Sequence, residues 1–178
     1  MAVILLDDFN RSNSTNTVGP SPVGSVTPTS SVGTWGINGN QLYSSAVSSS
    51  RAMILWDAGT PDVDISVSRT AGPNLTSGGI VFAANSDTDG YMINFQGVTG
   101  FTLGRWSGTT YVIHSMFRTP STYTYGQSMK VIHNDGVVEL FLDNVSLGRQ
   151  TLPTVPTGTK IGLYHGADER DEASFVVG

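Results

Sequence analysis

The sequence predicts an all-β protein built from antiparallel strands, and three observations carry that prediction. Between Gly78 and Ser115 four short runs, Ile80–Ala84, Tyr91–Gln96, Phe101–Trp106 and Tyr111–Ser115, are separated by Gly, Asn, Asp, Ser and Thr. Strands of about five to six residues with turn chemistry between them are the pattern of a meander. Nowhere does an apolar stripe persist at helical spacing over three turns. Charged residues make up only 13% of the 178 while Gly alone numbers 21, a composition that suits many tight turns.

In chain order, Val3–Leu6 reads as a first strand that runs into Asp7-Asp8-Phe9-Asn10-Arg11. Residues 12–33 form a Ser/Thr/Pro/Gly tract almost devoid of large apolar groups, too poor to build a layer of its own. It is expected to be a surface loop or arm, either wrapped over the body or held out to a partner. Trp35–Tyr43 is a hairpin around Asn38-Gly39-Asn40, because Asn and Gly both tolerate positive φ. Ala52–Trp56 follows, then Asp62–Thr70, where Val63, Ile65 and Val67 face one way and Asp62, Asp64, Ser66 and Ser68 the other. Met129–His133 and Val137–Asp143 flank the turn Asn134-Asp135-Gly136. Lys160–His165 and Ala173–Val177 end the series, with an acidic loop at 168–172 between them. About twelve strands in one domain over 1–178 require two packed sheets or a closed barrel, since a single open sheet leaves long edges.

Alternation also sets a register. Pairing Phe95 with Phe101 and Ile93 with Leu103 keeps apolar opposite apolar, whereas a slip of one residue inverts every side chain. Tyr91, Ile93, Phe95, Phe101 and Leu103 then face the core. Met92, Asn94, Gln96, Thr102 and Trp106 share the other face, with His114 expected beside them. Asn94, Gln96, Trp106 and His114 are the candidate glycan-binding residues: an aromatic ring stacks on the C–H face of a sugar, and amides both donate to and accept from hydroxyls. The competing account has Trp106 capping the edge of the core and the amides facing water.

Charge narrows the function classes. The net charge is −5 and the nine Lys and Arg residues form no block, so nucleic acid is not an expected partner. With no Cys, disulfide and thiolate chemistry are excluded. The first residues turn acidic too soon for a signal peptide and no later stretch is apolar enough to span a bilayer, so no membrane insertion is expected. The three His residues lack metal-ligand spacing.

The order of motifs resembles the concanavalin A-like lectin/glucanase jelly roll, including laminin G-like domains, over nearly the whole chain. Asp7-Asp8-Phe9-Asn10-Arg11 with Trp35-Gly36-Ile37 and Gln41-Leu42 is similar to the family's opening. Gly78-Gly79-Ile80-Val81-Phe82 with Gly90-Tyr91 is similar to a pair of its inner strands. Val131–Gly148, with Asp143-Asn144 before a short turn, resembles its long hairpin, and Lys160-Ile161-Gly162-Leu163 with Ala173-Ser174-Phe175 its last two strands. The resemblance implies an antiparallel two-sheet jelly-roll sandwich. Free-standing domains of this kind resemble small virion proteins of tailed bacteriophages, minor tail or capsid-surface components. That likeness implies a virion location after synthesis in the host cytoplasm, oligomeric in the particle, with other virion proteins and host cell-surface glycans as partners.

Glucanases of this fold use two acids on one strand face, and a retaining mechanism sets the carboxyls about 5 Å apart. Outside the acidic loop at 168–172, only Asp62/Asp64 and Asp87/Asp89 have that spacing in sequence. The first pair has no aromatic platform in its own segment, the second lies in a turn, and Glu139 stands alone in its strand. No catalytic residue is expected. Asn85-Ser86-Asp87-Thr88-Asp89-Gly90 matches the first half of a calcium-loop pattern, which makes Asn85, Asp87 and Asp89 candidate ligands. The twelfth position is Gln96, so the closing bidentate Glu is missing. The same residues suit a plain tight turn, so no cofactor is expected, calcium being the one ion the pattern admits.

Overall fold

Period-two alternation decides which side of each strand meets the core, and the computed structural model shows two half-buried sheets packed face to face. It describes residues 9–20, 25–46, 51–71, 78–95, 100–119, 122–166 and 173–177. Among these are fourteen strands and no helix. The first seven are β1 (Ser30–Val32), β2 (Thr34–Asn38), β3 (Gln41–Ala46), β4 (Arg51–Asp57), β5 (Val63–Ala71), β6 (Gly79–Ser86) and β7 (Asp89–Phe95). The others are β8 (Gly100–Ser107), β9 (Thr110–Arg118), β10 (Ser128–Asn134), β11 (Val137–Leu142), β12 (Val145–Thr151), β13 (Lys160–Gly166) and β14 (Ala173–Val177).

The first sheet has the order β1-β4-β13-β6-β7-β8-β9 and the second β12-β11-β10-β5-β14-β3-β2, seven strands each. Every pairing is antiparallel. This is the jelly-roll sandwich that the resemblance implied. The register expected from patterning is present: Phe95 opposes Phe101 and Ile93 opposes Leu103.

Turn chemistry closes the hairpins as the sequence dictates. Gly39–Asn40, Asp135–Gly136 and Asp143–Asn144 each place two consecutive residues at positive φ between paired strand ends, the backbone that matches strand twist. Between the sheets lies one continuous core. The first sheet contributes Ile54, Phe82, Tyr91, Ile93 and Phe101; the second contributes Ile65, Val67, Met129, Val131 and Leu140. Tyr123, from the connection between β9 and β10, is fully buried and its ring stacks on Phe95 at 5.3 Å.

The described part of the 12–33 tract wraps the body. Ser14 exchanges both backbone hydrogen bonds with Ile37, Val18 is buried, and the Thr29 amide donates to the Leu55 carbonyl. Its end forms β1, which sequence reading did not anticipate because Ser-Ser-Val carries a single apolar residue. β12 was likewise not anticipated: Val-Ser-Leu-Gly-Arg-Gln-Thr alternates only weakly. The expected strand Val3–Leu6, Gln96 and the acidic loop 168–172 lie outside the described residues.

Candidate functional site

The outward side of the first sheet departs from the wet face that an antiparallel sheet usually presents. Met53, Leu55, Val81, Ala84 and Met92 point away from the inter-sheet core, yet all are buried. Val32, Trp106, Tyr111 and Tyr164 pack against them and cover them. The cover is possible because Gly104 has no side chain. Tyr111, next strand over, lies across it, and a Cβ at Gly104 would stand 2.5 Å from the Tyr111 ring. Trp106 and Tyr111 are direct cross-strand partners with ring centroids 5.3 Å apart. At Gly162 a Cβ would meet the Ile54 carbonyl oxygen at 1.9 Å and at Gly79 the Ile93 carbonyl oxygen at 1.9 Å. The close approach of neighbouring strands keeps both positions free of side chains.

Polar groups sit within this layer. Asn94, Thr102 and Met116 occupy one cross-strand row, with Met92 and Gly104 in the next. Asn94 Oδ1 accepts from the Gly78 amide at 3.3 Å, which leaves its NH2 group as a donor. Thr102 is 0% exposed. Neither its hydroxyl nor that of Tyr111 closes a hydrogen bond of ordinary geometry. Burial raises the Tyr111 pKa, and the nearby Thr102 hydroxyl offsets part of that rise. Tyr111 is therefore a neutral phenol at physiological pH, able both to donate and to accept. The charged groups of this face stand at its margins: Asp57 and Lys160, opposite one another on β4 and β13, and Arg118 at the end of β9.

Of the residues expected from sequence, Asn94 and Trp106 do share this face with Met92 and Thr102. His114 does not join them, which corrects the expectation. The β8–β9 ladder shifts register between Leu103 and Gly104, so His114 is an extra residue. Its ring turns toward Tyr91, at 5.9 Å, on the inward side of the sheet. A bulge inverts facing beyond it, and alternation counted by eye cannot see one. Sequence reading missed Tyr111 and Tyr164. The available signal was Gly104 in a strand with an aromatic at the start of the next, since a strand glycine marks a close approach.

Asn85, Asp87 and Asp89 sit at the hairpin between β6 and β7, where Ser86 pairs with Asp89 across Asp87 and Thr88. Asp89 Oδ1 accepts from Arg105 Nη2 at 2.9 Å and Nε at 3.3 Å, and its Oδ2 accepts from Asn85 Nδ2 at 2.9 Å. Both carboxylate oxygens are thus engaged and a cation already stands beside them. Among the described residues no group of three or more His, Asp or Glu gathers as a metal site. The Asn85 hydrogen bond, then Arg105, hold the Asp89 pKa below the ordinary carboxylate value against the opposing effect of burial.

A carboxylate whose pKa is lowered on folding stabilises the fold above its unfolded pKa, and that stabilisation is lost as pH falls through the folded value. Asp57, bonded to Thr159, and Glu139, bonded to Ser146 and Arg149, shift the same way. The melting temperature is therefore expected to fall as pH drops from about 5 through about 3. Asp89→Asn should melt lower than the parent at neutral pH and flatten part of this decline. An equal slope in parent and variant would remove Asp89 from the account.

The other acids serve local structure. Asp62 Oδ1 accepts from the Asp135 amide at 2.9 Å, Asp64 lies 3.9 Å from Lys130 Nζ, and Glu139 accepts from Ser146 at 2.8 Å and Arg149 at 2.7 Å. All three belong to the second sheet or its margin, away from the aromatic layer.

No protein-family model and no curated protein sequence matches the chain. Solved structures do. A carbohydrate-binding module, CBM66 from Bacillus subtilis, superposes with a TM-score of 0.65 at 18% identity, covering 85% of this chain and 91% of that one. The carbohydrate recognition domain of Emp47p superposes with a TM-score of 0.58 at 10% identity, covering 97% and 91%. A Bacteroides ovatus GH16 protein from a mixed-linkage glucan locus, solved with a product, gives 0.57 at 8% identity, covering 98% of each chain. At these identities the likeness establishes the fold, which hosts lectin, binding-module and hydrolase alike.

Proposed function

We propose that this chain is a non-enzymatic glycan-binding protein whose ligand lies on the outward face of the first sheet. Trp106, Tyr111 and Tyr164 form the stacking surface, while the Asn94 amide takes a hydroxyl group of the sugar. The observation that carries the reading is the aromatic layer of Trp106, Tyr111 and Tyr164 on an outward sheet face, with the half-buried Asn94 amide in the row beside it. The separate engagement of Asp62, Asp64, Asp89 and Glu139 supports binding without cleavage.

The test is a glycan array followed by titration calorimetry on the full chain. A glycan should bind, and Asn94→Ala should weaken it about fivefold to tenfold, the worth of one hydrogen bond. Silence across the array, or an Asn94→Ala variant with undiminished affinity, would end the reading.

The proposal extends to a place in a tailed-phage particle, at the tail or capsid surface, among other virion proteins and facing host glycans. What supports it is the resemblance of the free-standing domain to small virion proteins of tailed phages. Mass spectrometry of purified particles should find the chain at stoichiometric levels; a particle without it removes this extension and leaves the glycan reading standing.

A further inference from the structure

An open sheet edge offers unpaired backbone groups to any passing strand unless something blunts it. Among the described residues the two sheets have four edges, and three of them are blunted. β1 has only three residues. β2 carries the Ser14–Ile37 bridge. β12 carries Arg149, paired to Glu139, along its length. β9 differs: it has nine residues, its one charged residue is the terminal Arg118, and it exposes Val112, Ile113 and Met116 at 49%, 54% and 51%.

The bulge in β9 selects what can lie against it. Cross-strand partners share a face, so Ile113 opposite Gly104 and Met116 opposite Thr102 are on the outward side. Val112 opposite Arg105, Ser115 opposite Leu103 and Phe117 opposite Phe101 are on the inward side, and His114 turns inward to Tyr91. From Tyr111 to Arg118 the faces therefore read out, in, out, in, in, out, in, out. That order is symmetric about the peptide bond between His114 and Ser115.

A strand of strict alternation can pair with its own copy only about a residue; this one can pair about a bond. We propose that β9 joins β9 of a second copy of this chain, antiparallel, fusing the two first sheets into one of double width. In that register Ile113 lies opposite the partner's Met116 and Val112 opposite the partner's Phe117, so apolar meets apolar on both faces. Although each chain carries a net charge of −5, which opposes self-association in general, β9 contains no acidic residue. The inference does not depend on the ligand assignment, and it places two aromatic faces side by side.

Sedimentation velocity on the full chain tests it, with a dimer expected at concentrations on the order of 100 μM. Ile113→Lys with Met116→Lys should give a monomer that melts where the parent does at dilutions at which the parent too is monomeric, since both side chains are exposed. The absence of Cys permits a test of register. Ile113→Cys with Met116→Cys should form a reducible covalent dimer, because directly opposed Cα atoms fall within disulfide reach. Val112→Cys with Met116→Cys places its thiols on opposite faces and should not. A monomeric parent, a dimer indifferent to the lysines, or equal cross-linking of both cysteine pairs would overturn the proposal.

Discussion

Trp106→Ala should weaken glycan binding about tenfold to a hundredfold while leaving the fold intact. An aromatic side chain of this size buries about 150–250 Å² when fully covered. Trp106 already rests on Tyr111, so a ligand takes only part of that area. At about 25 cal/mol per Å² the remainder is worth roughly 1.5–3 kcal/mol, which is one to two decades of affinity. The effect is compounded because Tyr111 loses the neighbour that holds it over Gly104. Trp106 lies outside the inter-sheet core, so its loss should lower the melting temperature far less than a core truncation. Calorimetric titration and thermal melting of the same preparation separate the two effects. Undiminished affinity in Trp106→Ala would move the ligand elsewhere.

Phe101→Ala should cost about 3–5 kcal/mol of folding free energy, the range for deleting a buried aromatic ring. Phe101 is fully buried, with Phe95 at 5.7 Å and Tyr123 at 5.5 Å, and it also pairs across the ladder with Phe117. The three rings fasten the β9–β10 connection to the meander. The cavity would therefore open beneath that connection, where Tyr123 cannot follow inward without releasing Phe95. Against a typical total of about 5–15 kcal/mol, such a loss brings the variant near the unfolding threshold. Urea unfolding of parent and variant measures it; a change below about 1 kcal/mol would contradict the packing described.

The two variants probe different layers, and the layers were unequally legible from sequence. Inter-sheet packing reads directly from alternation: Tyr91, Ile93, Phe95, Phe101 and Leu103 face inward in the expected register. A single buried face leaves no other solution. Placement of Asn94 and Trp106 on the opposite face followed by the same rule. Beyond Gly104 the rule failed, because one inserted residue carries no signature in composition, and His114 was assigned to the wrong side. Tyr111 and Tyr164 were overlooked for a related reason. Each belongs to a strand whose pattern announces only that a face exists; which rings meet over it depends on strands far apart in sequence, β13 and β9. The calcium-like hairpin shows the converse. Its residue types suited an ion, but Arg105, sixteen positions from Asp89, already occupies the carboxylate.

The last two strands stand in the middle of the two sheets, β13 between β4 and β6 and β14 between β5 and β3. Neither sheet is continuous until both are in place. Nascent chain emerging from the ribosome up to residue 159 thus carries two split half-sheets, with the inner edges of β4, β6, β5 and β3 all bare. Such a topology postpones cooperative assembly until residues 160–177 have been made, and loop closure over long separations makes it slow. A translation product halted shortly before Lys160 is the species most prone to aggregate.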